Sequence, residues 1–213
     1  RLPMGVFTMI APFNFPAMVP FWFLPYAIAS GNTFVLKPSK QVPLTMQLIA
    51  EYIDQCGLPD GVFNMVCGDR VVADAFMEHP AVKGVSIVGS TPVCQIIASK
   101  CAAKNKRFQA MGAAKNHLVV MKDAKIDDVI RNLITSGYGC AGQRCMASSV
   151  VVTVGRKIHE ELVPKYIQAA KDLIVATPLD PKVATEQMVM GPVISAGPKK
   201  SAGEVNRPAA KAG

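Results

Sequence analysis

The first half of the chain alternates short apolar runs with longer stretches in which apolar residues recur at helical spacing. The short runs predict four buried strands: residues 5–10, 33–36, 62–66 and 82–88. The longer stretches predict three helices: residues 43–55, 71–78 and 92–103. Because strands that alternate with helices form parallel sheets, the pattern predicts an α/β domain with helices on both faces of its sheet.

A mixed pattern continues in the second half of the chain, over residues 117–121, 126–136, 149–153 and 157–174. We place the boundary near residues 108–116, with a first domain of residues 1–110 and part of a second α/β domain in residues 111–196. Residues 197–213 consist largely of Ala, Gly, Lys and Pro. Since this composition cannot bury a core, we expect an irregular or disordered tail.

Composition narrows the classes of protein that the chain can belong to. Half of its 213 residues are hydrophobic, so it can bury a substantial core. The longest apolar stretch, residues 15–30, is interrupted by prolines and is shorter than the roughly 20 residues of a membrane span, so it predicts a buried helix or helix pair. Six irregularly spaced cysteines and three histidines predict neither a disulfide framework nor a metal site, which favours a reducing compartment.

The formal net charge of +8 raises the question of a nucleic-acid partner. Part of this charge lies in the tail, where Lys199, Lys200, Arg207 and Lys211 outnumber Glu204. The other positive charges are spread thinly and form no basic helical stripe with interleaved aromatic residues. The sequence therefore predicts no nucleic-acid partner, and its mildly basic surface suits anionic ligands such as a dinucleotide or coenzyme A.

Cys145 is the candidate nucleophile of the chain. It lies in the heptad Ala-Gly-Gln-Arg-Cys-Met-Ala, residues 141–147, where Arg144 supplies a positive charge next to the thiol. Taken alone, the heptad fits an inert packed cysteine better than a reactive one. Three upstream blocks, each following a predicted strand, change this interpretation: Ala11-Pro12-Phe13-Asn14-Phe15-Pro16, Lys37-Pro38-Ser39 and Val88-Gly89-Ser90-Thr91.

These four blocks, in this order, resemble the aldehyde dehydrogenase superfamily over residues 1 to about 195. The first and last blocks resemble most the methylmalonate-semialdehyde (malonate-semialdehyde) dehydrogenase branch, which transfers its acyl product to coenzyme A. The resemblance implies a Rossmann-like nucleotide-binding domain followed by part of a catalytic domain. Gly191-Pro192-Val193-Ile194 resembles a motif that precedes a much longer catalytic region, so the chain looks like the middle of a larger enzyme.

The resemblance assigns roles to individual residues. Cys145 is the nucleophile, and Asn14 donates to the oxyanion beside the main-chain amide of the nucleophile. Arg144 and Phe15 contact the substrate, with Arg144 pairing with its carboxylate. The implied cofactor-binding positions are Ala11, Phe13, Lys37, Lys40, Gly68 and Ser90. From the residues alone, a turn at Asn14, a helix cap at Ser90 and a merely packed Arg144 remain open, and we treat the other cysteines, including Cys140, as structural.

Two departures from the family pattern bear on the chemistry. Many members carry at the position of Lys40 a Glu that binds the ribose and would repel the 2′-phosphate of NADP. A lysine does not repel this phosphate, so NADP is tolerated unless Lys40 simply points into solvent. NAD remains the first choice. Hydrolytic members carry a Glu general base at the position of Met111, and methionine accepts no proton. A long-lived acyl-enzyme then suits attack by coenzyme A, although an inactive protein is an alternative explanation.

The resulting expectation is a NAD-dependent oxidation of methylmalonate or malonate semialdehyde. A thioester on Cys145 passes to coenzyme A and gives propionyl-CoA or acetyl-CoA. A hydrolytic aldehyde dehydrogenase and a truncated, non-catalytic dinucleotide-binding remnant are the alternatives. For the full-length family enzyme we expect a homo-oligomer, a tetramer, without a membrane partner, located in the mitochondrial matrix in a eukaryote or the cytoplasm in a bacterium.

Overall fold

A computed structural model describes residues 2–177, residue 179 and residues 189–197. The chain divides into two compact units, Arg1–Ala113 and Ala114–Gly213. None of the helices in the described part of the chain is both long and apolar enough to cross a membrane. The predicted irregular tail, residues 197–213, lies outside the described residues except for Gly197.

The first unit is built on a five-stranded parallel sheet. Its strands are β1 (Val6–Ile10), β2 (Thr33–Lys37), β3 (Phe63–Met65), β4 (Val82–Val88) and β5 (Arg107–Met111). Their spatial order is β3-β2-β1-β4-β5. This is the order of the Rossmann fold, in which the direction of winding reverses between β1 and β4.

Helices cover both faces of this sheet, as predicted. They are α1 (Met18–Phe21), α2 (Leu24–Ala29), α3 (Leu44–Asp54), α4 (Arg70–Glu78) and α5 (Thr91–Ala103). On one face, α1 to α3 enclose a cluster that includes Met9, Leu36 and Met46. On the other face, α4 and α5 enclose a cluster that includes Ile87 and Ile97. The predicted α/β fold with a Rossmann-like sheet is therefore confirmed.

One strand of the sheet was not predicted. β5 contains no β-branched residue, and four of its five residues are exposed because it forms the edge of the sheet. An edge strand of this kind lacks the apolar run by which the four other strands were found. The predicted helix starting at Pro92 begins one residue earlier, at Thr91.

Residues 15–30 form a helix pair, but only one side of it is buried. Val19 and Leu24 face the core, whereas Phe21, Trp22 and Tyr26 are 42%, 37% and 75% exposed. The predicted helix pair is present, and it is buried on one side only because both helices are short and lie on the surface of the sheet. Their inward residues cover β1 and β2 together with Met46 of α3.

The second unit contains a parallel pair of strands, β6 (Asn116–Val120) and β7 (Ser148–Thr153). Two helices, α6 (Ile126–Tyr138) and α7 (Arg156–Lys171), pack against this pair around Val120, Leu133 and Leu162. Further along the chain, β8 (Ile174–Val175) pairs in parallel with β9 (Val189–Met190). The segment between α6 and β7 carries Cys145.

The core of the first unit predicts a large difference between two chemically identical substitutions. Leu36→Ala removes a side chain that is fully buried on β2, and we expect it to destabilise the protein by about 2–5 kcal/mol. Leu44→Ala alters a side chain that is 73% exposed, so its effect should stay within about 0.5 kcal/mol. Urea unfolding measures both, and equal effects would contradict this description of the core.

Candidate active site

The sequence blocks of the first unit meet at one edge of the sheet. Ala11 follows β1, Pro38 follows β2, Gly89 follows β4, and Gly68 lies three residues beyond β3. In an open parallel sheet, ligands bind outside the carboxyl ends of the strands, at the point where the winding reverses. That point lies here between β1 and β4, so Ala11 and Gly89 flank the predicted crevice.

Lys37 ties the ends of three strands together. Its main-chain carbonyl accepts a hydrogen bond from the Ala11 amide at 3.0 Å. Its buried Nζ donates to the carbonyl oxygens of Gly68 at 3.0 Å and Pro38 at 3.1 Å. Burial lowers the pKa of Lys37, and the nearby negative charge of Asp69 opposes this shift. An ammonium group has three donors, so one has no partner among the described residues and is available to a ligand.

Gly68 has a steric reason to be glycine. A Cβ atom at this position would collide with the Val72 side chain at the start of α4. The close approach lets the Gly68 carbonyl reach Lys37. The next residue, Asp69, caps α4 by accepting a hydrogen bond from the Val71 amide at 3.1 Å.

Ser90 precedes α5 without capping it. The residue is exposed, and its side chain makes no cap hydrogen bond to the helix. Thr91 is also occupied elsewhere, because its Oγ1 accepts from the Ala113 amide at 3.1 Å. The amino end of α5 therefore keeps main-chain amides and the positive end of the helix dipole for an anion such as a pyrophosphate. The helix cap that the sequence left open for Ser90 is not formed.

The other candidates of the first unit differ in exposure. Phe13, Asn14 and Phe15 are half-buried, and Phe15 packs against the cluster under α1 to α3. Lys40 is exposed. The Met111 carbonyl accepts from the Gly89 amide at 3.1 Å and from the Cys94 thiol at 3.3 Å, so the end of β5 braces the loop before α5.

The segment that leads to Cys145 has an unusual backbone. Cys140, Ala141 and Gly142 have φ angles of 53°, 54° and 70°, three left-handed residues in succession. A non-glycine residue in this region costs about 1–2 kcal/mol. Such strain persists where surrounding contacts hold it, and it is common at active sites.

Gln143 is one of the residues that hold this segment. Its main-chain amide and its Nε2 both donate to the Cys140 carbonyl at 3.1 Å. Its Oε1 accepts from the Ile194 amide at 3.2 Å, which fastens the segment to the Gly191-Pro192-Val193-Ile194 motif. The sequence had offered this motif only as a family resemblance.

Cys145 is half-buried and lies in a turn of residues 144–147. The Ala147 amide closes the turn by donating to the Arg144 carbonyl at 3.1 Å. Asn116 Nδ2 donates to the carbonyls of Cys145 at 2.7 Å and Ala147 at 3.0 Å. Within the described residues, the Cys145 amide has no hydrogen-bond partner, and in a trans peptide it points away from the Arg144 carbonyl. Among the described residues, the turn thus leaves both the amide and the thiol of Cys145 without a hydrogen-bond partner.

Arg144 is directed toward the carboxyl end of α6. Its Nε donates to the Cys140 sulfur at 3.4 Å, and its Nη1 donates to the Thr135 carbonyl at 3.4 Å. A Cβ atom at Gly139 would lie 2.6 Å from the guanidinium carbon, so glycine makes room for this position. The sequence predicted Arg144 as a charge beside Cys145, whereas these bonds direct it to Cys140 and to the carbonyls that end a helix.

Two residues that contribute to this site were missed in the sequence. The sequence predicts a strand that begins at His117, and a single Asn at position 116 carries no pattern. Cys140 was treated as structural, although it is exposed and contacts Arg144. Its five-residue separation from Cys145 was visible, but the left-handed turn that brings it to Arg144 was not.

A family model described as the aldehyde dehydrogenase family matches residues 1–213. Malonate-semialdehyde dehydrogenase 2 of Geobacillus kaustophilus is 48% identical over 194 residues, which cover 91% of this chain and 39% of that protein. Malonate-semialdehyde dehydrogenase of Pseudomonas aeruginosa is 48% identical over 171 residues, covering 80% and 34%.

Solved structures show the same likeness. Methylmalonate-semialdehyde dehydrogenase of Oceanimonas doudoroffii superposes with a TM-score of 0.89 at 45% identity, covering 96% of this chain and 41% of that one. A Sinorhizobium meliloti protein described as a methylmalonate-semialdehyde dehydrogenase, solved with NAD, gives 0.87 at 40% identity, covering 94% and 40%. The chain spans about two fifths of the length of these relatives.

The left-handed segment predicts that Gly142→Ala is more costly than the same change at another left-handed glycine. Gly57 has a φ of 74° with open space around it, so Gly57→Ala should cost about 1 kcal/mol for its backbone alone. At Gly142 the new Cβ would also lie 3.1 Å from the Gly137 carbonyl oxygen. The free energies of unfolding of the two variants test this, and a smaller loss for Gly142→Ala would contradict the geometry.

Proposed function

The chain belongs to the aldehyde dehydrogenase family, and on that basis we propose that it carries the nucleophile and the nucleotide-binding edge of a NAD-dependent semialdehyde dehydrogenase. The observation that carries the proposal is the turn of residues 144–147, in which the Cys145 amide, beside its own thiol, has no hydrogen-bond partner among the described residues. This pairing suits attack on an aldehyde and stabilisation of the resulting oxyanion.

In the proposed reaction the Cys145 sulfur attacks the aldehyde carbon and forms a thiohemiacetal. The Cys145 amide donates to the oxygen that becomes negatively charged, and Asn14 is proposed as a second donor from the order of the motifs alone. A bound nicotinamide supplies the hydride acceptor that turns the thiohemiacetal into a thioester. An incoming nucleophile then attacks that thioester and displaces the Cys145 thiolate.

The carboxyl edge of the first unit fits a dinucleotide. Lys37 retains one donor for a ribose hydroxyl, and the uncapped amino end of α5 at Ser90 offers amides to a pyrophosphate. Ala11, Phe13 and Gly68 are proposed to line the same crevice. Because position 40 carries a lysine and not an acidic residue that would repel a 2′-phosphate, NADP is proposed as a second cofactor after NAD.

We propose coenzyme A as the acceptor of the acyl group. Met111 occupies the family position of the general base, and its side chain takes no proton from water. Without that base the thioester is hydrolysed slowly and remains available to the thiol of coenzyme A. Malonate semialdehyde then gives acetyl-CoA and methylmalonate semialdehyde gives propionyl-CoA, each with loss of carbon dioxide. The names of the malonate-semialdehyde dehydrogenases that the chain resembles support this choice of substrate.

The substrate carboxylate is proposed to pair with Arg144. The guanidinium then exchanges its contacts with Cys140 and Thr135, both at 3.4 Å, for a charge-assisted pair. Phe15 is proposed as an apolar neighbour of the substrate. For the full-length subunit we propose a homotetramer, and since the relatives named above are bacterial, a cytoplasmic location.

The first prediction of this proposal concerns the thiol. Cys145→Ser should abolish NADH formation, and iodoacetamide should label Cys145 faster than any other cysteine. Cys94 and Cys101 are buried, and burial raises the pKa of both thiols, so they should react slowest. Cys56→Ser, at an exposed cysteine outside the candidate site, is the matched control and should retain oxidation. Peptide mass spectrometry gives the labelling rates, and equal rates at all six cysteines would count against the proposal.

The second prediction concerns the acyl acceptor. NADH formation by the full subunit should depend on coenzyme A, because no general base stands at position 111. Met111→Glu should raise turnover without coenzyme A, up to the roughly 10²–10⁴-fold that a general base supplies. Met111→Gln, which adds a polar group without a base, is the control. Full turnover of the unaltered protein without coenzyme A would favour a hydrolytic enzyme, and nucleotide binding without turnover would favour a non-catalytic remnant.

A further inference from the structure

Asn116 uses its whole donor capacity on the turn that contains Cys145. A carboxamide nitrogen has two hydrogens. Both are engaged, one on the Cys145 carbonyl at 2.7 Å and one on the Ala147 carbonyl at 3.0 Å. The half-buried side chain thus spans the exposed Met146 between its two acceptors.

A β-bulge aims Asn116 at this turn. Asn116 pairs with Ser148, but the next residue, His117, pairs with Val150, so Ser149 is an extra residue on β7. A bulge of this kind bends its strand and redirects neighbouring side chains, and bulges are frequent beside active sites. The irregularity lies next to Asn116, whose side chain hydrogen-bonds to the turn.

From these contacts we infer that Asn116 is a positioning residue for the nucleophile; this rests on the proposed role of Cys145. Within the described residues, Asn116 makes two of the hydrogen bonds that hold the turn. The others run from the Ala147 amide to the Arg144 carbonyl at 3.1 Å and from the Ser149 hydroxyl to the Ala147 carbonyl at 3.3 Å. The strained, left-handed residues just upstream favour relaxation of the segment. Asn116 opposes that relaxation and keeps the Cys145 amide aimed away from the turn, where it meets a developing oxyanion.

If Asn116 positions the turn and does not activate the thiol, its loss should affect two reactions of Cys145 differently. Asn116 does not titrate, so removing its side chain leaves the pH dependence of the reaction unchanged. Acylation of Cys145 by an ester requires both the sulfur and an aimed oxyanion donor, whereas alkylation by iodoacetamide requires the sulfur alone. Loss of Asn116 should therefore slow acylation more than alkylation.

The experiment compares these two reactions at Cys145 in the full chain, with p-nitrophenyl acetate as the acylating probe. Asn116→Ala should slow acylation by about tenfold to a hundredfold, as misplacement of about 1 Å does, with alkylation within about twofold of the unaltered protein. Asn116→Ser keeps one donor, and its acylation rate should lie between those of the unaltered protein and Asn116→Ala. Asn132→Ala is the matched control, since Asn132 donates to the Asp128 carbonyl within α6 at 2.8 Å, and it should change neither rate.

The rates of these variants test the positioning role of Asn116 separately from the role of Cys145 as nucleophile. Acylation of Asn116→Ala at the unaltered rate overturns the positioning role. If Asn116→Ala loses its melting transition, Asn116→Ser decides: slower acylation at an unchanged melting temperature supports the role, and an unchanged rate overturns it. Cys145→Ser separates the proposed function from this inference, because ester cleavage that persists in that variant overturns the role of Cys145 itself.

Discussion

The candidate chemistry depends on how the chain holds the turn of residues 144–147 against the strain that precedes it. Two non-glycine residues, Cys140 and Ala141, adopt left-handed conformations immediately upstream. Gln143 fastens this segment to Ile194, and Asn116 binds two carbonyls of the turn. Without such bonds the backbone would relax, and the thiol and the amide of Cys145 would no longer be presented together.

In the first unit, the parallel sheet and the hydrogen bonds of Lys37 bring the candidate ligand-binding residues together. A parallel sheet places the ends of all its strands at one edge, so residues far apart in sequence become neighbours there. Lys37 links β1, β2 and the loop after β3 through its carbonyl and its ammonium group. The cost of burying this charge is visible in the lowered pKa of its side chain. A buried amine that still has one free donor suits a polar ligand at that edge.

Much of the fold followed from the sequence because the buried strands and the helices carry strong periodic patterns. The motif blocks were located correctly at strand ends for the same reason. β5 was missed because an exposed edge strand has no apolar run, and Asn116 was missed because its importance arises from a bulge that appears only when β6 pairs with β7. Arg144 was expected beside Cys145, whereas its contacts with Cys140 and Thr135 depend on a left-handed segment that no sequence pattern marks.

The central claim is that the Cys145 sulfur becomes a covalent acyl carrier. The most direct measurement is mass spectrometry of the full subunit after incubation with malonate semialdehyde and NAD in the absence of coenzyme A. The account predicts an acyl adduct on the peptide that contains Cys145, which disappears when coenzyme A is added. Formation of NADH with no adduct on that peptide, or an adduct on another cysteine, would contradict it.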